Sequence, residues 1–227
     1  MKSYGIMAEQ KFADWEKWLS NLWKEIYELH RQVNMFIGLW NFANENPRRF
    51  AHTYFKDWLA KTYWASSSLT IRRLVDKDNR NYSLMQLLED IKVFHAIVSL
   101  DRLKKLYLRG IRQNDDVLKR IEENEATRDF RKYEEKGDFL NPFSVERDIQ
   151  NINEITKPIV RAVNTYLAHN SRIKKYDVPS LARTKDCLTL FRSIYKKYHL
   201  LILGRVAFTD FPKSVARKEV NSIFKNN

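Results

Sequence analysis

His169 stands at the end of an apolar run with helical patterning, Val160-Arg161-Ala162-Val163-Asn164-Thr165-Tyr166-Leu167-Ala168-His169-Asn170. A polar, basic stretch follows it at once, Ser171-Arg172-Ile173-Lys174-Lys175. A histidine at a helix C-terminus is favoured as a cation by the helix dipole, and its imidazole exchanges protons near neutral pH. Cleavage of RNA needs a base for the 2′-hydroxyl proton, a cation for the phosphate and an acid for the leaving oxygen. Histidine with an arginine and a side-chain amide nearby supplies these groups without a metal. The competing reading is a histidine that only caps a helix.

Other chemistry has little footing. His30, His52, His95 and His199 pair with no second histidine at ligand spacing, so neither a metal site nor a cofactor is expected. A Gly-rich phosphate loop, a His-Glu-x-x-His pair and a Gly-x-Ser-x-Gly elbow are all missing from the sequence. Arg72 and Asp76 are i,i+4 neighbours, which favours a structural ion pair over a phosphate contact. The frequent aromatic residues fall on apolar stripes and read as core rather than as stacking platforms.

These side chains depend on long helices for their placement. Phe12, Trp15, Leu19, Leu22, Ile26, Leu29, Val33, Phe36 and Trp40 recur at steps of three and four, which predicts a first helix over roughly 8–43. Pro47 ends it. A second helix is expected over roughly 48–75, with Phe50, Tyr54, Trp58, Leu59, Tyr63, Leu69 and Leu74 on its apolar side. Ser83 is a suitable N-cap for a third, through Leu84 to Val98, and Asp101 for its continuation to Ile111. Residues 113–138 are densely charged with both signs interleaved, and read as a solvated helix or a mobile excursion. Ser144 is the expected cap of a helix running to His169, bent at Pro158. Pro179 opens a last helix that ends at Gly204, and a short basic tail follows. The expected fold is all-α, an antiparallel bundle of about six long helices in a single domain over 1–227.

Composition agrees. Of 227 residues only 5 are Gly and 5 Pro, too few for the turns of an all-β fold. One cysteine, Cys187, excludes an internal disulfide and fits a reducing, cytoplasmic setting. The sequence has neither an apolar signal core at its start nor a run long enough to cross a bilayer, so secretion and a membrane role are not expected. The net charge is +13, and its distribution matters more than its size. Residues 161–227 hold 14 Lys and Arg against 4 Asp and Glu, which points to an anionic partner, with nucleic acid the first candidate. A solvated basic face is the plainer alternative.

The stretch Asn164-Thr165-Tyr166-Leu167-Ala168-His169-Asn170 resembles the signature helix end of the HEPN superfamily, most closely its abortive-infection U-like branch. That signature runs Arg-Asn, three variable residues, Ala-His, and Asn164, Ala168 and His169 match it. Arg49-Phe50 with Tyr54, Ile71-Arg72-Arg73-Leu74-Val75-Asp76, Tyr82-Ser83-Leu84 with Leu87-Leu88, the last helix to Gly204 and Val220-Asn221-Ser222-Ile223-Phe224 are similar to the same branch. The resemblance implies a helical bundle of bacterial phage defence or toxin–antitoxin type. It also implies an RNA partner, a homodimer, and an antitoxin or other defence partner. Many relatives are metal-independent ribonucleases, whereas others have lost catalysis. By this resemblance His169 is the general base or acid, and Asn164 orients the phosphate or the histidine. The signature arginine, directly before Asn164, is here Val163, which cannot hold a phosphate. Arg161 is one substitute, about 80° around a regular helix and roughly 12 Å along it from His169. Arg172 is the other, and with Lys174 and Lys175 it is expected to contact RNA. Three readings therefore remain: an active endoribonuclease, a degraded HEPN bundle that acts through a protein partner, or a plain nucleic-acid-binding module.

Overall fold

In the computed structural model of the chain, the stripe from Phe12 to Val33 lies along the inner face of a single helix, α1 (Lys2–Glu45), with Trp15, Leu22, Ile26 and Leu29 fully buried. The structure describes residues 2–50, 54–78, 81–112, 114–134, 136–167 and 180–205, with the backbone alone for 2–4, 166 and 167. Seven further α-helices follow among these residues. They are α2 (Pro47–Phe50), α3 (Phe55–Leu74), α4 (Leu84–Val93), α5 (Leu100–Tyr107), α6 (Asp116–Arg131), α7 (Pro142–Ala162) and α8 (Leu181–Leu203). The described residues form no strand, and no described helix is long and apolar enough to cross a membrane. The fold is all-α, as the patterning predicts.

Side-chain pairs set the register. Glu25, Gln32 and Phe36 of α1 meet Arg73, Thr70 and Tyr63 of α3, so the two helices run antiparallel. Trp23 packs on Tyr195, and Glu16 faces Arg205 across 3.7 Å, which sets α8 antiparallel to α1. Asp148 bonds Lys197, and the Cys187 thiol faces the Ile155 carbonyl, so α7 and α8 are antiparallel too. Against α4 the hydrogen bonds of Lys11 and Trp15 to Asp90 and of Trp18 to the Ser83 carbonyl give α1 the same opposed direction. Side chains from all these helices enclose one apolar core.

The expected second helix is divided. It comprises α2 and α3, and residues 51–53 lie outside the described chain. Its buried side also differs from the expected one. Leu59, Tyr63 and Leu74 are buried, but Tyr54, Trp58 and Leu69 are exposed. Ser67, Ser68, Thr70 and Ile71 occupy the inner face instead. The hydroxyls are tolerated there because they bond locally: Ser67 donates to the Tyr63 carbonyl at 2.8 Å and Thr70 to the Ser66 carbonyl at 3.1 Å.

Helix starts are decided by whichever side chain reaches the first free N–H groups. Ser83 caps α4, as expected, accepting from the Gln86 N–H at 3.2 Å. Its hydroxyl also donates to the Asp76 carbonyl, tying α4 to the end of α3. Ser83→Ala is therefore expected to lower stability by about 1–2 kcal/mol, read as a shift in the urea midpoint. Asp101 and Ser144 are not caps. Ser99 caps α5 and Asn141 caps α7, with Pro142 in the first turn. Asp101 instead pairs with Lys105 at 2.6 Å, and Ser144 accepts from Lys197 at 3.0 Å. Ser180 caps α8, and Pro179 lies outside the described residues.

The charged stretch contains α6, whose inner face docks on α5. Ala126 and Phe130 are fully buried. Tyr107 donates to Asp129 at 2.6 Å. Burial alone would raise the Asp129 pKa, but hydrogen bonds from Lys132 and Tyr107 prevail and hold it below the usual carboxylate range. The outer face, with Val117 and Ile121 exposed, is solvated.

Gly204 ends α8 in the left-handed region, at φ 67°. A Cβ there would lie 2.6 Å from the Leu106 Cβ. Gly204→Ala would meet both penalties, backbone strain and overpacking against α5. The expected loss is about 2–4 kcal/mol, measurable by urea unfolding.

Candidate functional site

At its C-terminal end α7 changes register. Residues Val163–Leu167 form a π-turn, a feature that recurs at functional sites. The 80° offset of Arg161 from His169 assumed a regular α-helix through these residues, and His169 itself lies outside the described residues. Pro158 sits inside α7, one turn before the change. Val163 is 5% exposed and belongs to the core, so the position that the HEPN signature gives to arginine faces inward here. Asn164 and Arg161 are exposed on the outer side.

Arg161 and Asn164 line one groove of about 590 Å³ between the ends of α3 and α7. Asn153, Lys157 and Arg161 follow one another at steps of four on the α7 wall, and Arg72, Asp76 and Lys77 complete the α3 side. Four cations thus face one carboxylate. Lys77, Lys157 and Arg161 are exposed and hold no ion pair among the described residues.

Arg72 is the best-held of the four. Its Nη1 meets Asp76 Oδ1 at 3.0 Å, the structural pair expected from the i,i+4 spacing. Its Nε also donates to Asn164 Oδ1 at 3.4 Å, a contact across 92 residues that sequence spacing could not reveal. Asp76 is itself braced by the Asp78 N–H and the Asn81 amide, both at 3.2 Å. Burial would raise the Asp76 pKa, but the Arg72 and Asp78 bonds prevail and hold it below its ordinary value. This brace is therefore complete above the normal carboxylate range and is lost as pH falls through the depressed pKa.

The structure brings together Asn164 and Arg161, and adds Arg72, Lys77 and Lys157. His169, Arg172, Lys174 and Lys175 lie outside the described residues. Among the other histidines, His95 and His199 direct Nδ1 to the backbone carbonyls of Leu140 and Arg205, each at 2.9 Å, and His30 contacts Asn34. Burial pushes the Cys187 thiol up to about 12, which keeps it protonated near neutral pH. Among the described residues no cluster of His, Cys, Asp and Glu converges as a metal site would require.

An all-α fold in which helices pack against one another is consistent with a HEPN helical bundle. The chain belongs to the AbiU2 family of that superfamily, an abortive-infection defence branch, whose model matches residues 12–221. Curated proteins and solved structures provide no match.

Proposed function

We propose that this chain binds RNA in bacterial phage defence and cleaves it without a metal. The observation that supports this most is the groove at the end of α7, which gathers Arg161 and Asn164, a few residues before His169 in the chain, with Arg72, Lys77 and Lys157. In this reading His169 takes the 2′-hydroxyl proton, and the 2′-oxygen attacks the adjacent phosphorus. The P–O5′ bond breaks, giving a 2′,3′-cyclic phosphate and a 5′-hydroxyl, and an imidazolium returns a proton to the leaving oxygen. Asn164 orients the phosphate or the histidine. Arg161 or Arg172 stabilises the charge of the phosphorane, and Lys174 and Lys175 hold the flanking strand. A homodimer would set two such helix ends side by side, and an antitoxin would restrain them.

The test is an RNA cleavage assay with chelator present, comparing the parent chain with His169→Ala. Cleavage by the parent alone supports the reading. Equal cleavage by both chains removes His169 from the mechanism. The burial of Val163 favours a second reading, a catalytically silent bundle acting through a protein partner. Under that reading neither chain cleaves any RNA class.

A further inference from the structure

The signature arginine is missing, yet a guanidinium stands beside the signature asparagine. It comes from α3. We propose that Arg72 is the phosphate-binding cation of this groove and holds the backbone of a single-stranded RNA, replacing the arginine that position 163 lacks. The inference rests on the RNA-binding reading and names the residue that carries it.

The geometry supports it in three ways. First, Val163 is buried in the core, so no side chain at that position points at a ligand without unpacking α7. Second, Arg72 is fixed at two points, Nη1 on Asp76 and Nε on Asn164. A guanidinium has five N–H donors, and these two contacts leave three of them, one on Nη1 and both on Nη2. A preset, planar donor fork matches the two free oxygens of a phosphodiester. Third, the side chain keeps 33% of its surface accessible and opens on a groove whose other charged members are mostly cations. A plain structural pair needs only Asp76. The second contact, to Asn164 on another helix, orients the fork toward the groove.

Lys157 and Arg161 lie along the same wall, one helical turn apart, or about 6 Å along the axis. They suit successive phosphates of a strand whose first phosphate sits on Arg72. The contact is to backbone, so it carries no sequence preference.

The experiment uses the full chain and a fluorescent 12-nucleotide single-stranded RNA, with DNA of the same sequence as a second probe. Anisotropy titrations across a salt series are compared for the parent, Arg72→Gln, Arg72→Lys and Lys105→Gln, the last a charge loss on α5, outside this groove. Arg72→Gln is expected to bind both probes at least tenfold more weakly, and to lower the slope of log K against log salt by about one. Arg72→Lys, which keeps the charge but not the fork, should fall between. Lys105→Gln should change binding less than twofold. Parent binding with Arg72→Gln no weaker than Lys105→Gln overturns this site and leaves the RNA reading intact. A loss confined to RNA overturns the phosphate assignment, since it would place Arg72 on the 2′-hydroxyl. A parent that binds neither probe overturns the RNA reading and this site together.

Discussion

His169→Ala is expected to lower RNA cleavage by roughly two to four orders of magnitude, the range that a single general acid–base group contributes. Thermal unfolding is expected to stay the same, because in the proposed role His169 serves the chemistry and not the fold. The residual rate would come from binding and from charge held by Arg72 and Arg161. RNA affinity should likewise persist, since alanine removes a proton carrier and leaves the groove cations in place. Single-turnover cleavage with chelator, together with anisotropy of the uncleaved strand, separates the two effects. If affinity fell with rate while Arg72→Gln spared both, the chemistry would lie elsewhere.

Asp148→Ala carries the largest expected cost to the fold. Asp148 accepts from Lys197 Nζ and from the Tyr198 hydroxyl, both at 2.8 Å. Lys197 and Asp148 side chains are only 11% and 17% exposed. Alanine would leave the Tyr198 phenol without its acceptor and the buried Lys197 ammonium without its counter-charge, with only the Ser144 hydroxyl still accepting from it, a loss of roughly 3–5 kcal/mol. For a chain of this size that corresponds to roughly 6–20 °C in Tm. Burial, and then the Asp148 charge, already push the Tyr198 phenol well above its ordinary range, so it stays a donor in need of a partner. Asp148→Asn keeps an acceptor and should cost less. The double variant Asp148→Leu with Lys197→Met should recover part of the loss, because neither charge is then stranded although the Tyr198 hydroxyl still lacks its acceptor. A near-neutral Asp148→Ala in urea unfolding would show that this pair does not fasten α7 to α8. The pair lies at the opposite end of α7 from the groove, so milder variants that fold should still bind RNA.

Much of the fold was legible in the sequence. Seven residues from Phe12 to Val33 keep helical spacing, and all seven are buried. Ser83 and Gly204 act as the cap and stop that their chemistry suggests. Local rules settle such features, because a cap or a stripe depends on residues within one or two turns. Local rules also mislead where two candidates compete. Asp101 and Ser144 look like caps, but Ser99 and Asn141 reach the free N–H groups first. On α3, exposed Trp58 and buried Ser67 reverse the apparent polarity, and the Ser67 hydroxyl is accommodated by its bond to the Tyr63 carbonyl.

The candidate site divides in the same way. The residues at the end of α7, and the resemblance they carry, were open to reading from the chain alone, as was the Arg72–Asp76 pair within one turn of α3. The sequence by itself determined an all-α bundle and its family. The tertiary structure decided which cation stands beside Asn164. It buried Val163, inserted a π-turn, and brought Arg72 across 92 residues of chain. That meeting follows from the antiparallel packing of α3 and α7 around a shared core, an arrangement of whole helices that no local spacing contains.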